Sequence, residues 1–343
     1  MRQTRSLYHG VIAALAVVVG VGGRPASADP QQQHVLYLLD TTGSMGDLSS
    51  GGLTKLEVAK ARIKADLDTV QPLPTTYAVW RFDGASFTQL YSFTDVKTIA
   101  NMKAVVDAQV LGGATPLADS ICSAVDSLLA YLPAGNPTNV KRIFLATDGL
   151  ENNSIGECSG PPSDPTLSYP TLTPHSWQWR VRNKACVGAP EPSSPVPVCP
   201  NGVPTAGNPI TLLVDIDHLF DDNIGIPPFA PFAPVAARLD REHGARASAA
   251  VTTTAVNADA AFFTGLTHEK HGRYHAITPS TPLATAVPLP GDVNLDGCVN
   301  ITDRALVLQQ FGGPGTADLN GDGVVNTFDL QTVLQNFGSG CTP

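Results

Sequence analysis

The segment His34-Val-Leu-Tyr-Leu-Leu39-Asp40-Thr-Thr42-Gly-Ser44-Met decides how this chain folds. Residues 34–39 form a short apolar run without alternation, as expected of a strand buried on both faces. Asp40, Thr42 and Ser44 follow at two-residue spacing. They place one carboxylate and two hydroxyls on the loop at the carboxyl end of that strand, where open α/β sheets hold their ligand sites. All three are hard oxygen donors, suited to Mg²⁺, Ca²⁺ or Mn²⁺ rather than zinc.

Downstream, strand-like runs alternate with helical stretches. Leu56, Ala59, Ile63 and Leu67 lie at helical spacing within residues 53–70. Residues 77–82 and 87–93 flank Asp83-Gly84, a hairpin signal that puts one antiparallel strand in the sheet. Residues 95–110 read as a helix with Asp95 as its N-cap, and residues 117–131 as another. Further buried strands are expected at 140–146 and 210–216, then a helix over 258–270 and a strand over 273–277. This alternation implies an α/β fold, a doubly wound and mostly parallel sheet with one antiparallel edge strand.

Two further segments bear on the metal-ligand loop. Gly112-Gly-Ala-Thr115 places a threonine in a Gly-rich loop before a helix, and Thr147-Asp148-Gly149 ends the second buried strand. With Asp40-x-Thr42-x-Ser44, this set resembles the von Willebrand factor A domain and its metal-ion-dependent adhesion site, over residues 33–278. The resemblance implies a Rossmann-like sheet. It also implies a divalent ion, Mg²⁺ or else Ca²⁺ or Mn²⁺, held by Asp40, Thr42, Ser44, Thr115 and Asp148. An open coordination position would be filled by an acidic side chain of a protein ligand.

The C-terminal part is a repeat. Asp292, Asn294, Asp296, Cys298, Asn300 and Asp303 fall at positions one, three, five, seven, nine and twelve of an EF-hand-type loop, with Gly297 at six. Asp318, Asn320, Asp322, Val324, Asn326 and Asp329 repeat the pattern around Gly323. Position seven offers only its backbone carbonyl, so Cys298 and Val324 are both acceptable there. One helix should follow each loop, at 303–311 and 329–337, and Gly/Pro-rich sequence precedes it. This duplication resembles a type I dockerin domain over residues 291–338, a small all-α unit. The resemblance implies two Ca²⁺ ions and docking onto a cohesin-like domain. Partner choice in that family is read by the residues before the last loop position, here Ile301-Thr302 and Thr327-Phe328, which depart from the small hydroxyl pair of many cellulosomal dockerins.

Residues 1–28 read as a signal peptide: Arg2 and Arg5, an apolar run over 11–21, and the small-x-small site Ala26-Ser27-Ala28. The run is short for a membrane span, and no other stretch is apolar for long enough to cross one. Its removal takes Arg2, Arg5 and Arg24 from the 21 basic residues and none from the 30 acidic ones, leaving a net charge of −12. That balance speaks against nucleic-acid or anionic-membrane binding. An exported chain with six cysteines should carry disulfides. Cys298 and Cys341 bracket the repeat and are expected to pair. Cys122, Cys158, Cys186 and Cys199 are left with three possible connectivities.

Inserts are expected at 151–208, with a short helix over 177–185, and at 217–250; a semi-extended Pro/Thr linker over 279–290 should keep the two domains apart. Enzyme signals are weak. His268-Glu-Lys-His271 is one residue short of HExxH and reads as a solvated helix face. Asp215, Asp217 and His218 read as a loop cap, and Trp177 and Trp179 as a small core. No GxSxG elbow or P-loop occurs, and no oligomerisation element is evident. The reading is a secreted, non-enzymatic, metal-dependent adhesion-type module docked through calcium loops. The alternatives are a dockerin-tethered hydrolase with its site in the inserts, or a structural component of an extracellular assembly.

Overall fold

A computed structural model describes residues 32–133, 139–149, 151–200, 203–205, 208–220, 259–287, 289–320 and 322–341. The expected signal peptide lies outside these residues, as does most of the insert expected at 217–250.

Six strands form one sheet: β1 (Gln33–Asp40), β2 (Thr75–Asp83), β3 (Ser86–Tyr91), β4 (Val140–Thr147), β7 (Leu212–Leu219) and β8 (Tyr274–Ile277), in the order β3-β2-β1-β4-β7-β8. β3 pairs antiparallel to β2, and every other pairing is parallel. β5 (Val203–Thr205) and β6 (Asn208–Ile210) form a separate two-stranded ribbon. The doubly wound sheet with one antiparallel edge is the fold read from the sequence.

β1 shows why its run does not alternate. Val35, Tyr37 and Leu39 enter one core with Leu56, Ala59, Ile63 and Leu67 of helix α1 (Lys55–Asp68) and Met102 and Val106 of α2 (Ile99–Asp107). Leu36 and Leu38 enter the opposite core with Ile121 and Val125 of α3 (Leu117–Ala130), Trp177 and Val181 of α4 (Trp177–Val187), and Phe262 and Phe263 of α5 (residues 259–269). Trp177 is therefore core, whereas Trp179 is half-buried and lies against His175.

Helix boundaries follow their caps. Thr54 opens α1 in a reciprocal capping box with Glu57. α2 begins four residues later than the sequence suggests. The Asp95 carboxylate is taken by the Ser92 N–H at 2.6 Å, so it closes a turn, and Thr98 caps the helix through Asn101 N–H. β7 likewise runs to Leu219, which corrects the loop-cap reading of Asp215, Asp217 and His218. All three are buried inside a strand. Arg142 pairs with Asp215 and Asp66, and Arg62 with Asp217, so these buried carboxylates are compensated.

The 151–200 segment is stapled rather than loose. Disulfides join Cys122 to Cys158 and Cys186 to Cys199. In the helix 259–269, His268 is exposed, but Glu269 turns inward and pairs with Arg182 at 2.6 Å, and Lys270 just beyond it is buried. The reading of that face as wholly solvated is corrected by these contacts.

The 279–290 stretch does not run as a spacer. It contains the short helix α6 (Leu283–Ala286), whose Ala286 belongs to the α1-side core, and Arg62 donates to Thr285 O at 3.1 Å. Leu289 packs on the small C-terminal core of Val299, Val307, Ala317, Val325 and Val333. Val70 N–H donates to Thr332 Oγ1 of the small domain at 3.2 Å, so the two domains touch.

Candidate metal centres

The first centre lies where three loops meet at the carboxyl edge of the sheet. β1 and β4 are adjacent and parallel, with Leu39 opposite Ala146, which brings Asp40 beside Thr147 and Asp148. Asp40 Oδ1 accepts from Thr42 N–H at 2.9 Å and Oδ2 from Thr147 Oγ1 at 2.7 Å. Thr42, just before the 3-10 turn Gly43–Gly46, and Ser44 within it have hydroxyl oxygens 3.3 Å apart.

Thr115 arrives on a loop pinned from both sides. Gly43 N–H donates to Gly113 O at 3.0 Å, and Gly112 N–H to Thr41 O at 2.6 Å. A Cβ at 112 would stand 2.5 Å from the Asp83 carboxyl carbon, so any residue larger than glycine displaces that side chain. On the other side, Asn152 Oδ1 accepts from Thr115 N–H at 2.8 Å, and the N–H groups of Asn152 and Asn153 donate to Thr115 O. Glu151 caps α3 through Ala118 N–H at 2.7 Å. The start of the insert thus braces the Thr115 loop. Sequence reading missed Asn152 and Glu151; their nearness to Asp148 along the chain was the available signal.

Asp40, Thr42, Thr115 and Asp148 are buried, and Ser44 and Gly43 are the more exposed members of the cluster. Burial first, and the facing Asp148 carboxylate second, push the Asp40 pKa up to about 7, against hydrogen bonds from Thr147 and Thr42 that lower it. Asp148 Oδ1 is buried and has no hydrogen-bond partner. Its Oδ2 accepts from Lys55 Nζ at 3.1 Å. Two opposed carboxylates, three hydroxyls and an orphaned carboxylate oxygen fit a hard divalent cation. Lys55 lies 93 residues from Asp148, and nothing in the sequence flags it.

The small domain holds two further constellations. α7 (Ile301–Gln310) and α8 (Thr327–Gln335) each begin with a capping box, Asn300 with Asp303 and Asn326 with Asp329. The last loop aspartates therefore sit in the first helical turn, two residues after the helix start. Asp303 accepts from the N–H groups of Val293, Asn294 and Asn300, and Asp329 from those of Leu319, Asn320 and Asn326. Asp292 and Asp318 each accept from two loop N–H groups, those of Asp296 and Gly297 and those of Asp322 and Gly323. Gly297 and Gly323 supply left-handed turns at φ 86° and 91°.

Burial raises the Asp292 pKa, and Asp303 and Asp296 add to the rise. Burial likewise raises that of Asp329, with Asp318 adding to it. Each loop thus folds its carboxylates inward against one another, which a bound cation would relieve. Cys298 and Val324 turn their carbonyls toward Asn300 and Asn326.

The repeats interlock. Val299 exchanges backbone hydrogen bonds with Gly338 and Ser339, and Val325 with Gly312 and Gly313. Cys298 and Cys341 are bonded. Ile301, Thr302 and Thr327 are exposed and Phe328 is half-buried. Two apolar pairs related by the repeat, Leu308 with Leu334 and Phe311 with Phe337, are also exposed; the 26-residue offset was the signal for them. Elsewhere among the described residues, Cys186, Cys199 and Glu269 approach one another, but both sulfurs are consumed in a disulfide.

Strand order, edge-strand direction and loop placement fit a von Willebrand factor A-like fold. Residues 290–338 match the family model for the dockerin type I domain. None of the curated protein sequences matches the chain. Solved structures resemble it distantly. The SpRpn10 VWA domain is 12% identical, over 74% of this chain and 93% of that one, with a TM-score of 0.40. An aerotolerance-related membrane protein from Bacteroides fragilis is 15% identical, over 71% and 90%, with a TM-score of 0.38. Proximal thread matrix protein 1 from the mussel byssus, with a zinc-occupied MIDAS motif, is 14% identical, over 55% of this chain and 36% of that one, with a TM-score of 0.30. At these scores the likenesses carry no functional argument; the fold rests on the sheet itself.

Proposed function

We propose that this is a secreted, non-catalytic binding protein, whose α/β domain captures an acidic protein group through a divalent cation and whose dockerin domain tethers it to a cohesin-like partner. The buried, unpartnered Oδ1 of Asp148, facing the hydroxyl-bearing loops beside Asp40, carries the reading. Asp40, Thr42, Ser44, Thr115 and Asp148 would hold Mg²⁺, or Ca²⁺ or Mn²⁺. When bound, such an ion supplies a coordination position for a partner's carboxylate. The chain's own part is to fix the oxygens. Thr147 and Thr42 hold Asp40, Lys55 holds Asp148, and Asn152 holds the Thr115 backbone.

Two Ca²⁺ would sit in the loops Asp292–Asp303 and Asp318–Asp329, ordering the helices that present Ile301, Thr302, Thr327 and Phe328 to the cohesin-like domain. Three disulfides support export to an oxidising compartment. Among the described residues, no helix is long and apolar enough to cross a membrane.

The test is capture from the source secretome by the full chain, in Mg²⁺ plus Ca²⁺, with wild-type and Ser44→Ala baits. The reading expects two sets of partners: one lost with Ser44→Ala, and one, the cohesin-like partner, retained by both baits and lost only in chelator. Identical capture by both baits would contradict the metal-dependent part.

A further inference from the structure

Two loops of the first centre carry exposed apolar side chains. The turn that holds Ser44 ends at Gly46, and a Cβ there would stand 2.7 Å from Leu111 Cδ1, so Leu111 lies directly against the turn. Leu111 precedes Gly112, whose N–H donates to Thr41 O, and Gly43 N–H donates to Gly113 O, so the 110–114 loop runs alongside the metal loop. Leu111 is 47% exposed, its neighbour Val110 69%, and Leu48, two residues beyond Gly46, 60%. Residues 110–114, Val-Leu-Gly-Gly-Ala, bring no polar side chain to this flank. The opposite flank of Thr115 is polar, bordered by Asn152 and Glu151. Single exposed apolar residues are ordinary at a protein surface, whereas three on adjoining loops beside a candidate binding position mark a contact surface.

We propose that Leu48, Val110 and Leu111 form an apolar subsite of the first centre, and that its ligand is a polypeptide segment with an aliphatic or aromatic side chain beside the coordinating carboxylate. The inference rests on the metal-centre reading above and narrows its ligand. Gly43 and Ser44 are the more exposed members of the cluster, so a carboxylate reaches the centre over that turn. The part of the ligand next to the carboxylate then passes over Gly46 and Leu111. A small free carboxylate would leave these side chains in water. An acidic sugar would set its hydroxyls against a loop with no side chain to bond them. An apolar side chain on the ligand instead removes apolar surface of both partners from water.

Calorimetric titration of the full chain in Mn²⁺ with two peptides, acetyl-Gly-Glu-Gly-amide and acetyl-Leu-Glu-Leu-amide, tests this. Binding abolished by Ser44→Ala belongs to the first centre, which separates it from the exposed apolar side chains of the small domain. Wild type should bind the leucine peptide about tenfold more tightly than the glycine peptide. The double variant Leu48→Ser/Val110→Ser, changed only at exposed positions, should lose most of that preference while holding Mn²⁺ and the glycine peptide as wild type does. Leu111→Ser should do the same; if it disturbs the turn and weakens Mn²⁺ binding, the double variant decides. Equal affinity for the two peptides, a preference that survives in the double variant, or Ser44-dependent Mn²⁺ binding with neither peptide captured would overturn the subsite while leaving the cation site standing. No Mn²⁺ binding sensitive to Ser44→Ala would overturn the centre itself, and this inference with it.

Discussion

Replacing Cys298 and Cys341 together by serine should make calcium indispensable to the small domain. Its fully buried apolar side chains among the described residues are Val299, Val307, Ala317, Val325 and Val333. A core of that size in so short a module supplies no more than about 3–5 kcal/mol. The disulfide spans 43 residues, and closing a loop of that length removes unfolded-chain entropy worth about 4 kcal/mol. Losing the bridge therefore cancels most of what the core provides. The inward-facing carboxylates of each loop work in the same direction when no cation is bound. Calcium opposes both effects, since a ligand at a thousandfold its Kd stabilises the folded state by about 4 kcal/mol per site. Hydrogen exchange of the full chain reads this directly. The reporters are the amides of Val299, Gly312, Val325 and Gly338, which bond each loop to the tail of the other repeat. Wild type should keep measurable protection in chelator. The double variant should lose it there and regain it in calcium. Protection of those four amides in the double variant under chelation would refute the reasoning.

Asp303→Ala strands three backbone N–H groups at the first calcium loop. It should destabilise the small domain by about 3 kcal/mol or more, with Asp303→Asn losing roughly half as much, as read by melting in calcium. Gly112→Ala forces a Cβ against Asp83; it should cost about 1–3 kcal/mol of stability and weaken Mn²⁺ binding at the first centre, checked by melting and titration. His34 is buried between Tyr131 and Phe93, and burial first, then the nearby Lys141 charge, lower its pKa to about 4. Its folded pKa lies below its unfolded value, so the stability it contributes is present above about pH 6.5 and is lost as pH falls toward 4. His34→Phe should be less stable at pH 7 and should show a flatter melting profile across that window; an unchanged slope would count against the assignment.

What was legible in the sequence was local. The run at 34–39 announces a strand buried on both faces because every residue after His34 is apolar, and both cores do receive it. The hairpin at Asp83-Gly84 gave the antiparallel edge, and the 26-residue repeat gave the calcium loops, because loop spacing is set by one turn of chain around one ion. What escaped depended on contacts distant in sequence. Asp215 and Asp217 resembled a cap because a charged residue in a buried strand is costly unless paired, and their partners Arg142 and Arg62 lie 73 and 155 residues away. Asp95 and Thr98 were both acceptable caps by type, and the Ser92 turn decided between them. The Pro/Thr composition of 279–290 predicted extension, but Ala286, Val287 and Leu289 had cores within reach. Lys55 and Asn152 carry no motif at all, and only the fold places them beside the Asp148 and Thr115 loops.

The most direct test of the metal centre is a count of Mn²⁺ ions bound by the full chain, comparing wild type with Asp40→Asn and Ser44→Ala while a melt confirms that each is folded. The account predicts that each variant loses one bound ion and keeps those of the calcium loops. Equal stoichiometry and affinity in all three proteins would contradict it, and would leave the carboxylates and hydroxyls of that edge as structural groups only.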